Sequence, residues 1–164
     1  GAAPARGPVA AAFLDVFEPA RRPLAARNVA MLYAVGPKGR GAAGGHGPTV
    51  EGAAAFLEAV RDLGANAMLA VREYNQLQVA ADGGALEGEA ALPRIETLRW
   101  CLVSGGVYRH PQASKLDVAV ATVEGLVAGA SERLDEAASE VLPQVRFAYA
   151  EGVFEEAVEQ VVRV

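Results

Sequence analysis

Two periods of hydrophobicity run through this chain. Val29, Met31, Tyr33 and Val35 alternate with their neighbours and stop at Gly36-Pro37, which predicts a strand whose carboxyl end lies at that turn. Residues 95–103 predict a second, central strand, nearly continuous in apolar character from Leu98 to Val103, with Leu98, Trp100 and Leu102 on one face. It ends abruptly at Ser104-Gly105-Gly106. Val145, Phe147 and Tyr149 predict a third strand.

Between these strands the apolar residues recur at helical spacing. Val9, Ala12, Phe13, Val16 and Phe17 predict a short helix closed by Pro19. Thr49 reads as the N-cap of a helix whose buried side is Val50, Phe56, Leu57, Val60 and Leu63, with Gly64 as its stop. Asn66 then caps a continuation through Ala67, Ala70, Val71, Tyr74 and Leu77. Ser114, with Asp117 three residues on, forms a short capping box ahead of Leu116, Ala119, Val120, Val123 and Leu126, and Gly129 ends that helix. Ser131, Leu134, Ala137, Ala138 and Val141 predict a further helix. Phe154, Ala157, Val158 and Val161 predict the last one. Residues 80–91 read as a solvated loop.

Strands separated by helices imply an α/β fold: a three-layer αβα arrangement with a small, mainly parallel sheet and helices on both faces. Residues 1–28 are then an N-terminal arm with a short helix, and residues 29–164 are the α/β domain. Trp100 is the expected core anchor of the central strand. In such sheets ligands sit beyond the carboxyl ends of the strands, which here means the loop that starts at Ser104.

Composition narrows the function. The chain has 164 residues, 52% of them hydrophobic and 21% charged, so it can bury a real core. A formal charge of −5 argues against a partner with a phosphate backbone, and no nucleic acid is expected. The single cysteine, Cys101, rules out an internal disulfide and reads as a buried strand thiol. No apolar run is long enough to cross a bilayer. The first residue is Gly1, which fits either a cleaved product or a mature intracellular or organellar protein after removal of a targeting segment.

Catalytic signals are sparse. His46, in the glycine-dense stretch 38–48, and His110, before Pro111, have no Cys, Asp or Glu at ligand spacing, so no metal is expected. Ser104 lacks a nucleophile-elbow setting, and His110 reads as a structural hydrogen-bonder. Residues 38–48 lack the Lys-Ser/Thr ending of a phosphate-cradling loop. No catalytic residue is assigned and the chain is expected not to be an enzyme. Arg21, Arg22 and Arg27, around Pro23, read as a solvated connector.

The stretch Ser104-Gly105-Gly106-Val107-Tyr108-Arg109-His110-Pro111, following an apolar strand, resembles the second ligand loop of the macro domains, the ADP-ribose-binding α/β family. Tyr33-Ala34-Val35-Gly36-Pro37 resembles the strand end that this family places one helix earlier. The resemblance covers residues 29–164 but only the C-terminal half of the family pattern, because the family's Asn-Ala-Ala-Asn strand and its Gly-rich loop have no counterpart in residues 1–28. It implies a truncated macro-like domain. Its ligand-binding residues would be Gly36, Pro37, Ser104, Gly105, Gly106, Val107 and Tyr108, with backbone N–H groups around a pyrophosphate and Tyr108 beside the distal ribose. Glycine at 106 would serve the tight loop through positive φ and close backbone approach.

With half that site missing, the function expected is a non-catalytic accessory or scaffold subunit of a larger, multi-subunit assembly, without a cofactor. The alternative is an ADP-ribose or nucleotide module with a reduced site, and hydrolysis of ADP-ribosyl bonds ranks last. Other protein chains are expected to hold residues 1–8 and 38–48, since fixing such glycine-rich segments costs about 1–2 kcal/mol of backbone entropy per residue.

Overall fold

Two long helices frame the molecule in a computed structural model that describes residues 11–16, 30–39, 49–82, 93–132, 142–149 and 152–162. Helix α1 (Ala53–Asp82) is 30 residues long and α2 (Lys115–Ser131) is 17. Phe56, Val60, Leu63, Ala67, Met68 and Val71 recur every three or four residues on α1 and are buried, so one stripe faces inward. Against it lie Ala119, Val123 and Leu126 of α2.

The expected stop at Gly64 does not occur; α1 runs through it without a second cap at Asn66. Close packing between the helices is the reason. A Cβ at Gly64 would sit 2.8 Å from the Thr122 carbonyl oxygen, one at Gly125 2.0 Å from that of Arg61, and one at Gly129 2.5 Å from that of Ala65. Glycine here permits backbone to approach backbone, which outweighs the roughly 1 kcal/mol it costs a helix interior. Thr49 is likewise no N-cap: it pairs in a strand, and the helix begins at Ala53.

Helix α2 starts where its capping box predicts. The Asp117 N–H donates to Ser114 Oγ at 3.0 Å, and the Ser114 N–H donates back to Asp117 Oδ2 at 2.7 Å. It passes Gly129 and ends at Ser131, where the buried Arg72 guanidinium of α1 donates to the carbonyls of Gly129 and Glu132. A cation among the last carbonyls of a helix is well placed for the macrodipole.

The strands pair two by two: β1 (Ala11–Val16) with β2 (Ala30–Val35), β3 (Lys38–Gly39) with β4 (Thr49–Val50), and β5 (Thr97–Trp100) with β6 (Gln144–Phe147). The fold is therefore mixed α/β. The β5–β6 pair is parallel, as expected of strands separated by a helix; the parallel β3–β4 pair was not expected, since residues 38–48 read as a loop, and β2 has β1 as its antiparallel partner. Residues 11–16 are thus a strand and not the expected helix; Ala11, Ala12, Phe13, Leu14 and Val16 satisfy either period over so short a run. On β2, Ala30, Leu32 and Ala34 pack on the core while Met31 and Tyr33 are exposed.

β5 buries Leu98 and Trp100 and exposes Thr97 and Arg99. It stops at Trp100, three residues short of the expected end, because the chain turns at once: the Val103 N–H donates to the Cys101 carbonyl at 2.9 Å. Cys101 is consequently exposed rather than a buried strand thiol. Trp100 is a core residue as expected, 4% exposed, although its indole N–H has no partner among the described residues. The entry to β5 is held by Asn75 of α1, whose side chain donates to the Ile95 carbonyl at 3.0 Å and accepts from its N–H at 2.8 Å. Helix α3 (Val153–Val162) closes the core with Phe154, stacked on Phe147 of β6 at 4.1 Å between ring centroids.

Several expectations fall outside the described residues: the arm 1–8, the connector with Arg21, Arg22 and Arg27, the segment 40–48 with His46, and the helix through Leu134, Ala137 and Ala138. No described helix is long and apolar enough to cross a membrane.

Candidate functional site

The residues singled out after the two strands are brought together. The Ser104 hydroxyl donates to the Pro37 carbonyl at 2.8 Å, and the Gly39 N–H donates to the Tyr108 carbonyl at 2.8 Å. Gly36 lies so near Ser104 that a Cβ there would stand 2.2 Å from its Oγ. The end of β2 and the start of β3 thus form the wall on which the loop 101–113 is built.

Within the loop the backbone turns on itself. The Gly105 N–H donates to the Leu102 carbonyl at 3.3 Å, that of Arg109 to Gly106 at 3.0 Å, and that of Ala113 to His110 at 3.0 Å. The left-handed residue is Ser104, at φ 58°, where its hydroxyl bond to Pro37 offsets an unusual conformation for a non-glycine residue. Gly105 is the crowded glycine: a Cβ on it would meet Leu102 Cγ and Cδ2 at 2.3 Å. Gly106 was expected to need positive φ and close approach, yet it has an ordinary φ and nothing within 4 Å of where a Cβ would be. Gly105 is buried with its N–H engaged on Leu102, whereas Gly106, Val107 and Tyr108 form the exposed tip.

His110 is buried beneath the tip, where it has the structural role expected of it. Its ring centroid is 6.1 Å from that of Phe56, and its Nδ1 accepts the Gln112 N–H at 3.2 Å. Phe56, Val60, Ala113, Val118 and Ala121 make a small second core under this loop. Among the described residues no group of His, Cys, Asp and Glu is arranged to hold a metal ion.

Sequence reasoning missed the cations. Arg99 and Arg146 are both exposed and stand directly opposite each other in the β5–β6 register. The Arg146 guanidinium donates to Gln144 Oε1 from Nε at 3.1 Å and from Nη2 at 3.0 Å; Arg99 has no hydrogen-bond or ion-pair partner among the described residues. Beyond the strand ends, Lys115 at the start of α2 places Nζ 5.7 Å from the centre of the Tyr149 ring. Arg109 of the loop donates to the Ala113 carbonyl.

Acidic residues are absent from the strands that carry Arg99 and Arg146, although Glu96 directly precedes β5 and Asp117 follows Lys115 by two residues in the first turn of α2. The strands β2 to β6 contain no acidic residue, while Glu58, Asp62 and Glu73 lie on α1, Glu124 on α2, and Glu155, Glu156 and Glu159 on α3. The signal was in the chain: between Glu96 and Asp117 there are Arg99, Arg109 and Lys115 and no acid, and between Glu18 and Glu51 there are Arg21, Arg22, Arg27, Lys38 and Arg40 and no acid. The overall charge of −5 averages this segregation away.

Comparison with known proteins gives no matching family model and no matching solved structure. The DNA/RNA-binding protein ALBA4 of Plasmodium falciparum (isolate 3D7) is 34% identical over 131 residues, covering 80% of this chain and 29% of that protein. The DNA/RNA-binding protein ALBA4 of Plasmodium yoelii yoelii is 36% identical over 131 residues with the same coverage. The chain thus matches less than a third of the length of these curated relatives.

These similarities overturn the macro-domain resemblance, and with it the scaffold function, its ADP-ribose alternative and the exclusion of nucleic acid as a partner. Both relatives are named as binding proteins and not as enzymes. The physical reason for the false resemblance is that Ser104, Gly105 and Pro37 encode a tight strand-to-helix connection. Any fold that must turn sharply after a parallel strand and cap a following helix can use such residues.

Proposed function

We propose that this chain is a non-catalytic nucleic-acid-binding module whose phosphate contacts come from the outward face of the β5–β6 pair. The observation that carries the proposal is the in-register, exposed pair Arg99 and Arg146 on strands free of acidic residues. Like charges directly opposite on a sheet oppose folding slightly. A phosphate at the same place reverses the sign, because each guanidinium offers a planar fork of donors suited to its oxygens. The names of the two relatives support the same chemistry. The acidic helices oppose it, so the affinity expected at physiological salt lies in the micromolar range of non-specific binding.

The test is fluorescence anisotropy of a labelled 20-nucleotide single strand, RNA or DNA, titrated with the full chain at salt concentrations from 50 to 300 mM. Binding should weaken steadily with salt, and the Arg99→Gln/Arg146→Gln double variant should flatten the log–log slope by about 1.4, the share of two lost single-strand phosphate contacts. A wild-type chain that does not bind at 50 mM salt, or a double variant that folds and keeps the full slope, overturns the proposal.

A further inference from the structure

We infer that the tip of the loop 101–113 is a stacking element for an unpaired base, so that the chain prefers single-stranded nucleic acid to duplex; this rests on the nucleic-acid reading above. Two apolar side chains stand at the tip where a folded chain gains nothing from them: Val107 is 79% exposed and Tyr108 39%. Neither belongs to the core clusters. Exposed apolar groups on a mobile loop would carry little meaning, but this tip is tied down. The Tyr108 carbonyl accepts the Gly39 N–H, the Arg109 N–H closes a turn onto Gly106, the Arg109 guanidinium holds Ala113, and the Ser104 hydroxyl bonds Pro37. The loop carries its aromatic ring at little further cost in backbone entropy, which is the condition under which a tyrosine contributes most to binding.

The charge around the tip fits the same partner. The loop follows β5 directly and leads into α2, so Tyr108 lies in the chain between Arg99 and Lys115, in a stretch without acidic residues. Cations that follow a phosphate backbone, together with an aromatic face for its bases, are the two parts of a single-strand site. In a duplex the bases are paired and stacked on one another and present no free face to the ring. The phosphate contacts remain available to both forms, so only the stacking contribution separates them.

The experiment compares a labelled 20-nucleotide single-stranded RNA of mixed sequence with its duplex, using the full chain. Tyr108→Ala should weaken single-strand binding about 5- to 150-fold, leave duplex binding within about twofold, and leave the salt slope unchanged, since no charge is removed. Tyr108→Phe should bind as the wild type, because stacking needs the ring and not the hydroxyl. Far-UV circular dichroism checks that each variant is folded. A Tyr108→Ala variant that binds the single strand normally, or loses both ligands equally, overturns the stacking inference and leaves the arginine face standing. A wild-type chain that binds neither ligand overturns both.

Discussion

Replacing Gly125 by alanine sets two effects of opposite sign against each other at the crossing of α1 and α2. Alanine is the better helix former by about 1 kcal/mol, so in an exposed helix the change would stabilise. Here the new methyl would lie 2.0 Å from the Arg61 carbonyl oxygen, 2.9 Å from its carbonyl carbon and 3.1 Å from the Ala65 nitrogen, where ordinary contact begins at 3.4 Å. All three atoms are backbone, so no rotamer change relieves the overlap. The helices must part, and Leu63, Ala67 and Met68 then separate from Val123 and Leu126, the centre of the main core. Overpacking of a formed core costs about 1–3 kcal/mol and more when backbone must move, so the clash exceeds the gain in propensity. The net loss expected is about 2 kcal/mol.

Urea unfolding followed by circular dichroism measures it. At an m-value of about 1–3 kcal/mol/M the midpoint should fall by roughly 1 M with m unchanged. Gly106→Ala is the control, since it lies in an exposed loop with nothing within 4 Å of its Cβ position, and its midpoint should stay within the equivalent of about 0.5 kcal/mol. A midpoint for Gly125→Ala at or above that of the wild type would refute the close crossing of the two helices.

Two other substitutions probe how the site is held. Asn75→Ala removes both bonds to Ile95 and leaves a buried N–H and a buried carbonyl unpaired. A loss of about 2–3 kcal/mol is expected, with early hydrogen exchange at the Ile95 amide as the local readout; unchanged protection there would show that the bracket is not needed. In the loop, Gly105→Val should lower the melting temperature by about 3–6 °C through its clash with Leu102, whereas Gly106→Val should stay within about 1 °C. Equal effects at the two positions would contradict the geometry of the turn.

Where a residue's role depended on its near neighbours in sequence, the chain was legible. The Ser114–Asp117 capping box, the alternation along β6, and the apolar spacing of α1, α2 and α3 are local, and the structure has them; along β2 the alternation is inverted, with Met31 and Tyr33 exposed and the small Ala30 and Ala34 packed with Leu32 on the core. The Gly36-Pro37 turn does meet the Ser104 loop, through the Ser104 hydroxyl on the Pro37 carbonyl, but the only ground for expecting it was the macro-domain resemblance that the relatives overturn, and β2 pairs with β1 and not with β5. Roles decided by distant partners were not legible. Gly64 and Gly129 look like helix stops to a reader who cannot see Thr122 and Ala65 across the seam, and they are spacers instead. Residues 11–16 fit either period and become β1 only through their pairing with β2.

The arginine pair was hidden in the same way. Arg99 and Arg146 are 47 residues apart in sequence, and each alone is an ordinary polar residue on the outward side of a strand. Register puts them opposite one another, and only then do they form a doubly charged site. A net charge of −5 says nothing about such a site, since Coulomb interactions in water fade over about 10 Å at 0.1 M salt, and the acidic outer faces of helices need not lie within that distance of a phosphate on the strands. What bears on polyanion binding is the sign of the charge on each element. In this chain the strands from β2 to β6 and the loop after β5 carry cations alone, and the helices carry most of the described acids.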